Sequence, residues 1–103
     1  MAMHNPPHPG EFIVRTYMQP FGISCRFLAS QLDVAASTLN RILKQQSSVS
    51  PEMALRLAKA LGRSPESWLA MQDAYDLWKA RKLVRLDRVA KLDMGQQHHE
   101  KER

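Results

Sequence analysis

The sequence predicts an all-α fold of five short helices, and three observations carry that expectation. Apolar residues recur at three- and four-residue spacing, and no stretch alternates as a strand would. Two segments, Ser50-Pro51-Glu52 and Ser64-Pro65-Glu66, are written as helix starts. Prolines and glycines fall between the periodic segments or at their first residues rather than in their middles. At 103 residues the chain can bury one modest core, so a single domain is expected.

The first helix is expected from Pro9 to about Gln19, with Phe12, Ile13 and Tyr17 on its inner face and Pro20 and Gly22 ending it. The second is expected from Ser24, as N-cap, to about Leu32, burying Phe27, Leu28, Gln31 and Leu32, with Ala29 packing closely. The third runs from about Ala36 to Lys44, with Leu39, Ile42 and Leu43 turned inward. In the two clear starts, serine accepts a free backbone N–H, and proline lacks an N–H the helix could not use. Glu52 and Glu66 then meet the positive end of the helix dipole. The fourth helix ends at Gly62 and the fifth runs from Pro65 to about Lys82. Leu83, Leu86 and Val89/Ala90 continue a helical spacing beyond it. From Met94 the chain reads as a flexible, solvated C-terminal tail.

Charge and composition narrow the function. Fifteen Lys+Arg against ten Asp+Glu leave a net charge of +5, which suits a polyanionic partner. The charge is uneven. Residues 64–78 hold Glu66, Asp73 and Asp76 and no base, whereas residues 79–91 hold Lys79, Arg81, Lys82, Arg85, Arg88 and Lys91 against Asp87. That basic block reads as a solvated face, a phosphate contact or a dock for an acidic surface. There is no apolar run long enough to cross a membrane, and MAMHNPPHPG lacks the charged and apolar regions of a secretory signal. A lone cysteine, Cys25, cannot form an internal disulfide, so a cytoplasmic setting is expected. Cys25 itself reads as an inert residue of a helix start. Neither a glycine-rich phosphate loop nor a Ser/His/Asp pattern is present, and no enzyme is expected. His4, His8, His98 and His99 lack metal-site spacing and read as solvated tail residues, so neither a metal nor a cofactor is expected.

The segment from Phe27 to Leu43 points to a binding function. Ala29 is small where one helix must cross another. Asp33 follows four residues later, where the chain must enter the left-handed region, and Leu39, ten residues after Ala29, packs back. This is the spacing of a helix-turn-helix. Ser37, Asn40, Arg41 and Lys44 then fall at i, i+3, i+4 and i+7 on the outer face of the third helix. Such donors, acceptors and cationic forks suit base edges and phosphates. The expected base-edge or groove residues are Ser37, Thr38, Asn40 and Arg41. Ser24, Arg26, Lys44, Gln46 and Ser47 are expected at phosphates. Trp68 reads as core. Leu69, Tyr75, Leu77 and Trp78 belong to an apolar arc too wide for one small domain to cover, and are expected at a two-fold dimer interface.

Residues 8–78 resemble the HigA-type antitoxins, a branch of the XRE (Cro/cI-like) helix-turn-helix family. His8-Pro9-Gly10-Glu11 is similar to their entry signature, and Ala36 to Leu43 to their recognition helix. Ser50-Pro51-Glu52-Met53-Ala54, Leu61-Gly62, Ser64 to Leu69 and Gln72 are similar to their later signature. Asp33 and Gln45 stand where such chains usually carry glycine. The resemblance implies a lambda-repressor-like DNA-binding domain over residues 8–82, followed by a basic extension and tail over 83–103. It further implies a homodimeric repressor on a palindromic double-stranded DNA operator, autoregulating its operon, with a RelE-like (HigB-type) toxin as partner. A stand-alone XRE-type regulator and an interaction module on a decayed helix-turn-helix are the alternatives.

Overall fold

A computed structural model describes residues 5–95, and the order of elements follows the sequence. Helix α1 spans Pro9–Ile13 and continues as a π-helical stretch over Val14–Met18. Helices α2 (Cys25–Leu32), α3 (Ala36–Leu43), α4 (Pro51–Leu61) and α5 (Pro65–Leu83) complete it, with no strand among the described residues. The π stretch, marked by the Gln19 N–H reaching the Val14 carbonyl five residues back at 2.9 Å, divides what the sequence reads as one helix. The extra residue per turn brings Tyr17 round beside Phe12, their rings 6.0 Å apart, and both stand against the Trp68 ring at 6.3 and 5.8 Å.

The serine starts of α2, α4 and α5 form as read: Ser24, Ser50 and Ser64 each accept the N–H three residues on. Trp68 is fully buried, in a core that it shares with Ile13, Leu28, Leu32, Leu39, Ile42, Met53 and Leu57. Its indole N–H, which could not be left unpaired there, donates to the Gly62 carbonyl at 3.0 Å.

Several expectations need correction. Phe27 and Gln31 lie on the solvent side of α2, because Leu28, Ala29 and Leu32 alone fill its inner face. Leu43 is half-buried rather than turned fully inward. The helical spacing beyond Leu83 is not realised. Val84 leaves α5 in an extended conformation, and Leu86 and Val89 are exposed. His8 is no tail residue: it is buried and caps α1, its Nδ1 accepting the Gly10 N–H at 2.9 Å while its ring meets Tyr75 edge-on at 5.0 Å. His4, His98 and His99, and the tail from residue 96, lie outside the described residues.

Gly10 marks a close backbone approach between α1 and α3. A Cβ there would run into the Ile42 carbonyl oxygen and stand 2.9 Å from the Leu43 Cα, so α1 rests directly on the backbone at the end of α3. Neither backbone segment can give way as a flexible side chain would. Gly10→Ala is expected to destabilise the protein by about 3 kcal/mol in urea unfolding, despite alanine's better helix propensity.

Burial holds the His8 imidazole below its ordinary value of 6.5, against the opposing influence of a hydrogen bond to the Ser47 backbone and of Asp76. The unfolded chain therefore binds the proton first. The stability tied to neutral His8 is present above pH 6.5 and is lost as the pH falls below it. Urea midpoints measured from pH 8 to 5 should fall across that window, and His8→Asn, which keeps a capping oxygen, should flatten the dependence.

Candidate nucleic-acid interface

The turn between α2 and α3 is built from hydrogen bonds of the backbone itself. Asp33 sits in the left-handed region at φ 58° and ψ 47°. There the Val34 N–H reaches the Ala29 carbonyl at 3.0 Å and the Asp33 N–H the Ser30 carbonyl at 3.2 Å, the paired closure typical of a helix that ends on glycine. The same closure ends α3: Gln45 has φ 63°, the Gln46 N–H reaches the Arg41 carbonyl at 2.8 Å and the Gln45 N–H that of Ile42 at 2.9 Å. Both positions thus keep a glycine-like conformation with a side chain, at a conformational cost of about 1 kcal/mol each.

This turn sets α3 with Leu39 and Ile42 in the core and Ser37 and Arg41 exposed; Thr38 and Asn40 are half-buried at the edges of the same face. Lys44 and Gln46 are exposed just beyond it. Among the described residues the ion pairs lie on Arg15, Arg56 and Arg85; Arg26, Arg41 and Lys44 are exposed. The thiol of Cys25 lies 3.7 Å from the Ala36 carbonyl, which brings the start of α2, with Ser24 and Arg26, beside the start of α3. Ser24 and Ser47 are partly engaged within the chain. The Ser24 hydroxyl accepts the Phe27 N–H, and the Ser47 N–H donates to the Arg41 carbonyl at 3.3 Å. The result is a cationic, polar surface from the start of α2, along α3, to the loop after it.

Comparison with known proteins bears on this geometry. The helix-turn-helix family profile matches residues 14–68, spanning α2, α3, α4 and the start of α5. The chain belongs to the XRE-type helix-turn-helix family. It is 36% identical over 92 residues to the HTH-type transcriptional regulator YddM of Escherichia coli (strain K12), covering 89% of this chain and 97% of that protein. A solved addiction module antidote protein of a HigA family from Coxiella burnetii superposes with a TM-score of 0.80 at 33% identity, covering 87% of this chain and all of that one. Antitoxin GraA, solved in complex with its operator, superposes with a TM-score of 0.72 at 41% identity, covering 81% of this chain and 83% of that one.

In this family member the residues expected at a dimer interface do not share one face of α5. Tyr75 and Trp78, half-buried with rings 6.1 Å apart, flank the core, and the Lys82 ammonium lies 4.1 Å over the Trp78 ring. Leu77 is exposed on the opposite side, and Leu69 is half-buried between the two.

Two side chains that hold the site in shape carry no mark of that role in the sequence. Arg56 of α4 donates to the Leu32 carbonyl at 2.9 Å and the Asp33 carbonyl at 3.1 Å, and pairs with Glu52 at 2.8 Å. It thereby satisfies carbonyls that the end of α2 leaves without a helical partner. Gln72 of α5 is buried. Its Oε1 accepts the Val49 N–H at 2.9 Å and its Nε2 donates to Asp76 at 3.0 Å, tying the loop after α3 to α5. The Glu52–Arg56 spacing of four hints at a helix-surface pair but not at the reach to the turn. Arg56→Met should cost about 2 kcal/mol in thermal unfolding. Adding Asp33→Gly should recover part of that loss, because glycine holds the left-handed turn without help.

Proposed function

We propose that this chain is a sequence-specific DNA-binding transcriptional repressor, and the antitoxin of a HigBA-like pair that represses its own operon. One observation carries the reading. The face of α3 that the fold leaves exposed and uncompensated is the face a helix-turn-helix lays in the major groove, and the solved relative at 41% identity is an antitoxin with its operator. In this reading residues 8–82 form the DNA-binding unit and 83–103 a basic extension.

Arg41 reads a base, its planar fork matching guanine O6 and N7. Ser37, Thr38 and Asn40 meet neighbouring base edges or sugar-phosphate. Arg26, Lys44, Gln46 and the backbone N–H groups around Ser24 and Ser47 position the helix on phosphates. A homodimer places two copies of α3 one helical turn of DNA apart, about 34 Å, which matches a palindromic operator. The association involves α5, where Tyr75 and Trp78 expose aromatic surface. A RelE-like toxin of the HigB type is the protein partner. A second reading is a stand-alone XRE-type regulator; YddM, named an HTH-type transcriptional regulator, is consistent with either reading.

Arg41→Ala should weaken operator binding by about 1–3 kcal/mol and relax preference at one base pair per half-site, with unchanged thermal unfolding. Titration of both proteins against operator and single-base variants checks this. Equal affinities would place the base contact elsewhere.

A further inference from the structure

The end of α5 and the segment that follows it are written in triplets that the DNA-binding reading does not use. Lys82-Leu83-Val84, Arg85-Leu86-Asp87, Arg88-Val89-Ala90 and Lys91-Leu92-Asp93 each place a cation before an aliphatic residue. Leu83, Leu86, Val89 and Leu92 are each more than half exposed. Val84 leaves the helix extended, and the arm then carries one turn, with the Val89 N–H on the Leu86 carbonyl at 3.0 Å. Phosphate contacts would account for the cations but leave the aliphatic series without purpose, and such a series needs an apolar protein surface.

A surface of matching character lies on α5. Glu66, Ala70, Asp73 and Leu77 fall at i, i+4, i+7 and i+11, and all are exposed. This stripe faces away from buried Trp68 and Gln72, alternates acid with aliphatic, and belongs to the stretch that holds no base.

We propose that the arm of residues 84–92 docks on the α5 stripe of a second copy of this chain, with Arg85 and Arg88 facing its acids and Leu86 and Val89 meeting Ala70 and Leu77. The arm does not serve its own helix: Val84 leaves α5 extended, and Leu86, Val89 and Leu92 stay exposed. Exchange of arms about a two-fold axis gives each subunit the same contact. The inference rests on the homodimer proposed above and adds to it a named strap.

The test mixes two charge-reversed proteins, Arg85→Glu/Arg88→Glu and Glu66→Lys/Asp73→Lys, all four sites being exposed; circular dichroism confirms folding. Sedimentation equilibrium without DNA, at low salt, should show each variant alone dissociating about tenfold more readily than wild type. An equimolar mixture should associate as tightly as wild type, because each reversed arm then faces a reversed stripe. Dimers of unchanged strength in both variants would overturn the strap while leaving the homodimer standing. Weakened variants that the mixture does not rescue would also overturn it, since the contact would then lie within one chain. Loss of operator affinity in the arm variant at unchanged dimer strength would make the arm a DNA contact instead. A wild type that is monomeric at every concentration would remove the homodimer and the strap together.

Discussion

Helix α1 meets the end of α3 backbone to backbone, at Gly10, and the orientation of the recognition surface depends on that contact. Side chains at a helix crossing can adjust, but here the Ile42 carbonyl and the Leu43 Cα leave no room for one. Because α3 is held so closely from behind, its inner residues Leu39 and Ile42 are fixed in the core and Ser37 and Arg41 must face out. His8 closes the same junction from the other side, capping α1 while its ring lies against Tyr75 of α5. A buried neutral imidazole thus joins the support of α3 to the helix proposed to carry the dimer contact.

The turns at both ends of α3 show how the fold tolerates an unfavourable local choice. Asp33 and Gln45 hold a left-handed conformation that glycine would adopt freely. At Asp33 the compensation is visible in the Arg56 guanidinium, whose bonds to two carbonyls at the end of α2 close the turn from α4. The loop after α3 is secured differently, by the Val49 N–H on buried Gln72. Helices α4 and α5 therefore serve the interface without touching it: each sends one polar side chain to a loop that flanks α3.

Much of the fold was legible in the sequence because its signals are local. The Ser-Pro-Glu starts, the apolar period of α3 and the spacing from Ala29 through Asp33 to Leu39 each lie within a few turns of chain. Each depends on hydrogen bonds and sterics that short segments settle for themselves. Trp68 was readable as core by its size and register. The polar stripe of α3 followed from the same periodicity. The signals that misled were local too. Phe27 is hydrophobic at a plausible register, yet Leu28 and Leu32 already fill the inner face of α2. Leu86 and Val89 carry on from Leu83 a spacing that helices use, but they stay exposed, and no surface among the described residues rewards a helix there.

By itself the sequence determined where the helices begin, which residues α3 turns outward, and the opposed charges of residues 64–78 and 79–91. Tertiary structure alone decided that His8 is a buried cap, that Gly10 is a point of backbone contact, and that Arg56 holds a turn 23 residues away. It also decided that the apolar residues of α5 divide between two sides. The physical reason is range. Caps and periods express the chemistry of neighbours along the chain, whereas burial and long hydrogen bonds exist only after packing has brought distant segments together, and no residue type announces that in advance.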